Sequence, residues 1–182
     1  MAPYVKEDKT LKNNTGARGV KVSAGVGGGR VMVWEYIDGR NWTGAVPAEM
    51  YEGPIRRALA KVLPTSRAWR VLEDNDPTGF KSGKGEAAKA AAGIEVFSIP
   101  KRSPQLNVCD YALWTEINKR MRRQERRWPK GAKETRAGYL SRLRRKALRL
   151  SKTFIDKSIS NMKVRCQRLL VARGRHFEEG GK

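Results

Sequence analysis

The chain has 182 residues, of which 39 are Lys or Arg and 18 are Asp or Glu, giving a formal net charge of +21. This length allows one domain with a proper core, and this charge favours nucleic acid or another polyanion as the partner. Two cysteines and one histidine argue against a disulfide framework and against a histidine-based triad or zinc site. No stretch approaches the roughly 20 apolar residues of a membrane span, so no membrane partner is expected.

The first third of the sequence predicts a loop followed by a β-hairpin. A glycine-rich run over residues 24–30 lacks the Lys-Ser/Thr pair of a phosphate-binding loop, so we interpret it as an ordinary loop. Residues 31–37 form a β-prone run that ends at the turn pair Asp38-Gly39. A second short strand is predicted around residues 41–46, where it would pair with the first.

The middle of the chain predicts alternating helices and strands. Pro47 and Pro64 bound a helix over about residues 48–63. The elements predicted after it are a strand over residues 69–72, an Ala-rich helix over 82–92 and a strand over 94–99.

The second half is basic and helical. Residues 101–182 contain 24 Lys or Arg against 7 Asp or Glu. Helices are predicted over residues 110–128, 134–150 and 152–173. The predicted buried stripe of the last helix is formed by Ile155, Ile159, Met162, Cys166 and Leu169. The order of elements predicts an α/β fold with a mixed sheet flanked by helices and a basic helical C-terminal region.

Three aspartates lie where predicted elements end or begin. Asp74 and Asp76 follow the strand over 69–72, and Asp110 opens a helix 36 positions after Asp74. Carboxylates on such elements can share divalent ions that assist phosphoryl transfer. We therefore predict Asp74 and Asp110 as catalytic metal ligands for Mg²⁺ or Mn²⁺, with Asp76 as an auxiliary ligand. The structural alternative is an ordinary Asp-rich turn and an acid at a helix N-terminus.

Cations on the helices over 110–128 and 134–150 predict contacts with the DNA backbone. Solvated helix faces are the alternative interpretation. Trp42 and Trp128 are candidates for stacking on bases, although packing within the protein is the favoured role. The predicted DNA-binding residues are Lys119, Arg120, Arg122, Arg123, Arg126, Arg127, Arg142, Arg144, Arg145 and Lys146.

Three blocks, over residues 31–34, 72–77 and 103–114, resemble the catalytic core of mariner-like DDE/DDD transposases. The resemblance covers about residues 25–125. It implies an RNase H-like fold, divalent-metal-dependent cutting and joining of DNA ends, and activity as a dimer. It assigns Asp74 as the second catalytic acid and Asp110 as the third. The family's first catalytic Asp and its N-terminal DNA-reading module have no counterpart in the sequence, which implies an incomplete, N-terminally truncated enzyme.

The main hypothesis is a transposase-derived, DNA-binding domain in the nucleus, with no small-molecule substrate and with two of three metal-binding acids. The alternative is a non-enzymatic basic protein of the ribosomal or chromatin type that binds nucleic acid. The predicted organisation is a polar Gly-rich segment over residues 1–30, a partial RNase H-like domain over 31–128 and a basic helical extension over 129–182.

Overall fold

A computed structural model describes most of the chain after the N-terminal segment, namely residues 20–37, 40–65, 68–74, 76–101, 103–175 and 177. Its contacts divide these residues into two units. The first unit contains residues 20–25 and 31–101, and the second contains 26–30 and the described residues from 103 onward. No helix in the described ranges is long and apolar enough to cross a membrane. The domain limits expected from the sequence stay a prediction.

The glycine-rich run forms half of a β-hairpin. Strand β1 (Val22–Gly27) pairs with strand β2 (Arg30–Tyr36). Gly28 and Gly29 connect them with φ angles of 55° and 72°, which a two-residue hairpin turn requires and glycine adopts without strain. The predicted strand over 31–37 is confirmed. The loop expected over 24–30 and the partner strand expected around 41–46 are wrong, because the glycine-rich run itself supplies the partner.

The helix predicted over 48–63 is confirmed, with an earlier start and a changed pitch in the middle. Helix α1 (Ala45–Met50) continues through a π turn (Tyr51–Ile55) into helix α2 (Arg56–Val62). The π turn contains Pro54, which has no N–H to donate and whose ring would crowd an α-helical turn. The proline therefore explains why the regular helix is interrupted there.

A parallel strand pair forms the second sheet. Strand β3 (Trp69–Glu73) pairs with strand β4 (Ile94–Ser98) so that Glu73 lies opposite Ser98. Helix α3 (Gly83–Ala91) provides the crossover that parallel strands need. The Ser82 hydroxyl caps this helix by accepting from the Gly85 N–H at 3.1 Å. All three elements confirm the sequence prediction.

The strands of the first unit pack against its helices. One apolar cluster contains Val33, Val46 and Met50, and another contains Tyr51 and Ile94, with further members in each. Met32 of β2 packs against both clusters. The hairpin and the parallel pair therefore cover a shared helical layer, as an α/β fold predicts.

The second unit is helical. A short 3₁₀ turn (Pro104–Leu106) and a π turn (Cys109–Leu113) lead into helix α4 (Trp114–Glu125). Helix α5 (Arg136–Leu148) and helix α6 (Lys152–Val171) follow. These confirm the three predicted helices, and Ile117 and Met121 of α4 are buried.

The buried face of α6 differs from the prediction. Ile155 is buried, but Ile159 is 39% exposed and Cys166 is exposed. Arg165 is only 5% exposed, although the sequence predicted that its neighbour Cys166 would be buried instead. The stripe was therefore wrong at two of its five positions, because an arginine occupies the buried face of this helix.

Candidate metal site and nucleic-acid interface

Asp74 is the first residue after strand β3. The parallel pairing of β3 with β4 fixes the backbone up to Glu73, and Asp74 follows in a half-buried position. Its Oδ1 accepts a hydrogen bond from the Asp76 N–H at 3.3 Å, as in an Asx turn. The sequence had placed this carboxylate at a strand end, and the structure confirms that placement.

Glu73, the acid before Asp74, is held by a buried network. Its Oε1 accepts from Lys89 Nζ at 2.6 Å and its Oε2 accepts from the Tyr51 hydroxyl. Lys89 also donates to the Phe80 carbonyl and to Glu86, each at 2.9 Å. Burial and the negative charge of Glu73 raise the pKa of Tyr51 far above its usual value, with a further contribution from Asp74. The phenol therefore acts as a permanent donor to Glu73.

Asp76 is also bound by neighbouring donors. Its Oδ2 accepts from the Trp42 indole N–H, and its Oδ1 accepts from the Thr78 N–H at 3.2 Å and the Thr78 hydroxyl at 2.7 Å. Burial alone would raise the pKa of Asp76, but the hydrogen bonds from Trp42 and Thr78 outweigh it and hold that pKa below its usual value. Both oxygens of Asp76 therefore have donors within the protein, and its role as an auxiliary metal ligand stays a prediction.

Trp42 has a packing role in this arrangement. Besides its bond to Asp76, its ring meets Phe80 edge-to-face with ring centroids 5.2 Å apart. This favours the internal role expected from the sequence over base stacking.

Asp110 lies in the first turn of the π segment that precedes α4. Its N–H donates to the Asn107 carbonyl at 2.9 Å, and the Asn107 side chain accepts from the Cys109 N–H at 3.0 Å. Asp110 is half-buried. An acid in a first turn is favourable for the helix dipole, so this position satisfies both the structural and the metal-ligand interpretation.

Asp74 belongs to the first unit and Asp110 to the second, so their meeting at one metal pair stays a prediction. Among the described residues, no group of three or more His, Cys, Asp or Glu is arranged to hold a metal. The donors that the two aspartates offer are hard oxygens. Mg²⁺ and Mn²⁺ prefer such donors, and Mg²⁺ keeps several waters and needs few protein ligands. The residues present therefore fit these ions.

The predicted DNA-binding residues lie mainly on the surface of α4, of α5 and of the segment between them. Arg120 and Lys146 are partly buried. Arg120 pairs with Glu116 at 2.7 Å and donates to the Arg149 carbonyl at 3.0 Å. The remaining predicted cations other than Arg142 are exposed, namely Lys119, Arg122, Arg123, Arg126, Arg127, Arg144 and Arg145.

Arg142 is a correction to this set. It is 3% exposed, and its guanidinium pairs with Glu125 at 2.7 Å and with Glu134. It also lies over the Trp128 ring, 4.6 Å from the centroid. A guanidinium enclosed by two carboxylates and an aromatic face cannot contact a phosphate, so Arg142 joins α4 to α5 and does not form part of the surface. The same contact explains the position of Trp128.

Lys146 shows how crowded the positive charge is. Partial desolvation lowers its pKa, and the charges of Arg145, Arg142, Arg120 and Arg149 lower it further. Arg142 and Arg120 already pair with glutamates, whereas Arg145 and Arg149 are exposed. The role of this cluster in binding a phosphate backbone stays a prediction.

Arg165 is the functional candidate that the sequence missed. It lies ten residues after Ile155 and three after Met162, a spacing that places all three on one face of the helix. This spacing is the signal in the sequence that could have identified Arg165 as buried. Its guanidinium donates to the Gln105 carbonyl at 2.9 Å and lies over the Tyr111 ring, 3.7 Å from the centroid.

The solved structures that match this chain include a transposase catalytic domain. The catalytic domain of Mos1 mariner transposase matches with a TM-score of 0.75 at 16% identity, over 88% of this chain and 77% of that one. The chain has the fold of this transposase catalytic domain. The predicted mariner-like resemblance and the RNase H-like α/β class are thereby confirmed at the level of the fold.

Other Mos1 structures match equally well. The Mos1 catalytic domain with Raltegravir and Mg has a TM-score of 0.75 at 16% identity, over 88% of this chain and 78% of that one. The Mos1 paired end complex with Mn has a TM-score of 0.77 at 17% identity, over 98% of this chain and 52% of that one. The chain thus spans about half the length of the Mos1 chain in that complex. No protein-family model and no curated protein matches it.

Proposed function

We propose that this domain binds DNA and is related to enzymes that cut and join DNA strands with Mg²⁺ or Mn²⁺. The fold shared with the Mos1 catalytic domain supports the class of reaction. The observation that carries the proposal is the arrangement around Asp74. Asp74 lies directly after β3, whose parallel pairing with β4 fixes the backbone that carries this carboxylate.

Asp74 and Asp110 would be the protein ligands of the metal. Divalent ions bound there would activate a water or a 3′-hydroxyl and stabilise the leaving oxygen. The protein's own contribution is to hold the two carboxylates still. The Asx turn with Asp76 orients Asp74, and the Asn107 turn orients the backbone at Asp110.

The exposed cations of α4 and α5 would bind the DNA backbone. Each phosphate contact releases condensed counterions, so binding should weaken steeply as salt rises. Arg142 is left out of this interface because it is buried. The exposed Arg145 and Arg149 make the C-terminal end of α5 the favoured place for a phosphate.

We further propose that the chain by itself does not complete strand transfer. The strand before the block over 31–34, β1, contains no acidic residue, so the first catalytic acid that the resemblance implies is not supplied there. Nuclear location and action as a homodimer are part of the same proposal. They are tested by fluorescence imaging of the tagged chain and by sedimentation with and without DNA.

The test of function is nicking of supercoiled plasmid in Mn²⁺ at low salt. Asp74→Asn keeps the shape of the side chain and removes its charge. Asp156→Asn is the matched control, because Asp156 forms only an exposed pair with Lys152 on α6. Nicking that is lost in Asp74→Asn and kept in Asp156→Asn supports a metal site at Asp74.

A second candidate function is binding without cleavage. It is favoured by the lack, among the described residues, of any group of three metal-binding side chains. The wild type, Asp74→Asn and Asp156→Asn would then bind DNA equally well, with the same dependence on salt, and none of them would nick the plasmid. This result would establish binding without cleavage and reject the metal site.

A further inference from the structure

A buried arginine of the last helix is attached to the segment that contains Asp110. Arg165 lies on the inner face of α6 with 5% of its surface exposed. It donates to the Gln105 carbonyl at 2.9 Å, and its guanidinium stacks on Tyr111 at 3.7 Å from the ring centroid. Gln105 and Tyr111 belong to the 3₁₀ turn and the π turn on either side of Asn107.

Tyr111 is fixed at both ends. Its ring lies against Arg165, and its hydroxyl donates to the Ser158 carbonyl of α6 at 2.6 Å. It is also the residue directly after Asp110, within the same π turn. A shift of Tyr111 would therefore shift the Asp110 backbone with it.

Stability alone does not explain why an arginine occupies this buried position. Removing a guanidinium from water is costly, and an apolar side chain of similar volume often stabilises a protein as well or better. The planar group, however, can bind a carbonyl at its edge and an aromatic ring at its face, which fixes two neighbours at once. Two of the neighbours of Arg165, Gln105 and Tyr111, lie in the turn region around Asp110, and the Phe177 ring lies farther away, 5.8 Å from the guanidinium.

We propose that Arg165, acting through Tyr111, is a positioning residue for the Asp110 carboxylate at the metal site. The inference rests on the proposed function, because it takes Asp110 as a metal ligand. Residues that hydrogen-bond a metal ligand typically change metal affinity by about 10–100-fold when they are replaced, and Arg165, which acts through Tyr111, should fall at the lower end of that range.

The test is Mn²⁺ affinity measured from the free-ion signal in electron paramagnetic resonance, with the full chain and without any turnover. Arg165→Met should weaken Mn²⁺ binding by about 10-fold. Arg165→Lys should recover part of the loss, since Lys can still donate to the Gln105 carbonyl but lacks the planar stack. Lys163→Met, an exposed position on the same helix, is the matched control and should bind Mn²⁺ like the wild type.

Tyr111→Phe removes only the hydroxyl that reaches Ser158, so it tests the same path if Arg165→Met fails to fold. It should also weaken Mn²⁺ binding, by less than Arg165→Met. A lower melting temperature with unchanged Mn²⁺ affinity in both variants would show a purely structural role and overturn the inference.

The variant Asp110→Asn tests the proposed metal site separately from the positioning role of Arg165. If Asp110→Asn leaves Mn²⁺ binding unchanged, the proposed metal site is rejected and the inference is rejected with it. If Asp110→Asn weakens binding while Arg165→Met and Tyr111→Phe do not, the metal site stands and the positioning role alone is rejected.

Discussion

The buried Lys89–Glu73 pair should be the most sensitive ion pair of the first unit. Both side chains are almost fully buried, at 2% and 3% exposure, and Lys89 Nζ has three acceptors. Lys89→Met would leave the Glu73 carboxylate buried with Tyr51 as its remaining side-chain donor. Leaving one member of a buried pair uncompensated costs about 3–5 kcal/mol. The contact with Glu86 adds little, because that carboxylate is 56% exposed.

In a chain of 182 residues, this loss should lower the melting temperature by about 6–20 °C. The assay is urea unfolding at 25 °C followed by far-UV circular dichroism, with a thermal scan beside it. Replacing both members, as Lys89→Met with Glu73→Gln, should restore much of the lost stability, because no buried charge is then left alone.

The matched control is Arg70→Met. Arg70 and Glu95 pair at 2.8 Å across β3 and β4 of the same unit, but both side chains are mostly exposed. This change should cost less than about 1 kcal/mol. If Lys89→Met cost no more than Arg70→Met, the argument from burial would be refuted.

Three further outcomes follow from the described contacts. The depressed pKa of Asp76 means that its stabilising effect is present above the unfolded value of about 3.9 and is lost as the pH falls through the lower folded value. The difference between the urea midpoints of wild type and Asp76→Asn should therefore be largest at pH 6 and should shrink as the pH falls below about 3.9. Replacing Arg126 and Arg127 by Ala should reduce the slope of log K against log salt for DNA binding by about 2, and an unchanged slope in a filter-binding titration would place the backbone contacts elsewhere. Arg142→Met should lower stability by about 3–5 kcal/mol in chemical unfolding while Arg144→Met leaves it almost unchanged; equal losses would contradict the buried assignment.

The sequence predicted most elements because their local signals agree with their tertiary environment. The parallel strands carry β-branched and aromatic residues, and Ser82 and Gly93 bound the helix between them. Asp74 could be placed at a strand end for the same reason. The periodicity of α4 was equally clear, since Ile117 and Met121 face the interior.

The hairpin partner could not be found in this way. Glycine has low strand propensity, so the run that contains β1 has the composition of a loop, and its pairing with β2 depends on the positive φ angles of Gly28 and Gly29. The segment that pairs with β2 is determined by contacts between strands, which local propensity does not predict.

The distinction between surface and buried cations was also out of reach. Arg142 resembles its charged neighbours in sequence, and only the glutamates and the aromatic ring around it show that it is internal. The donors to Asp76 could not be predicted either, because one of them, Trp42, lies 34 positions earlier in the sequence.

The π turn over Cys109–Leu113 affects how distances along the sequence should be interpreted. A π turn is commonly an α-helix that has accepted one additional residue. One residue corresponds to about 100° of rotation in an α-helix, so the deletion of a single residue in this turn would turn Asp110 away from its present direction relative to α4. Residues 111–113, which follow Asp110 in this turn, therefore set its direction relative to α4, and they lie outside the interval of 36 positions between Asp74 and Asp110. Searches for related chains should allow the number of residues between Asp110 and α4 to vary by one and should align the turn itself.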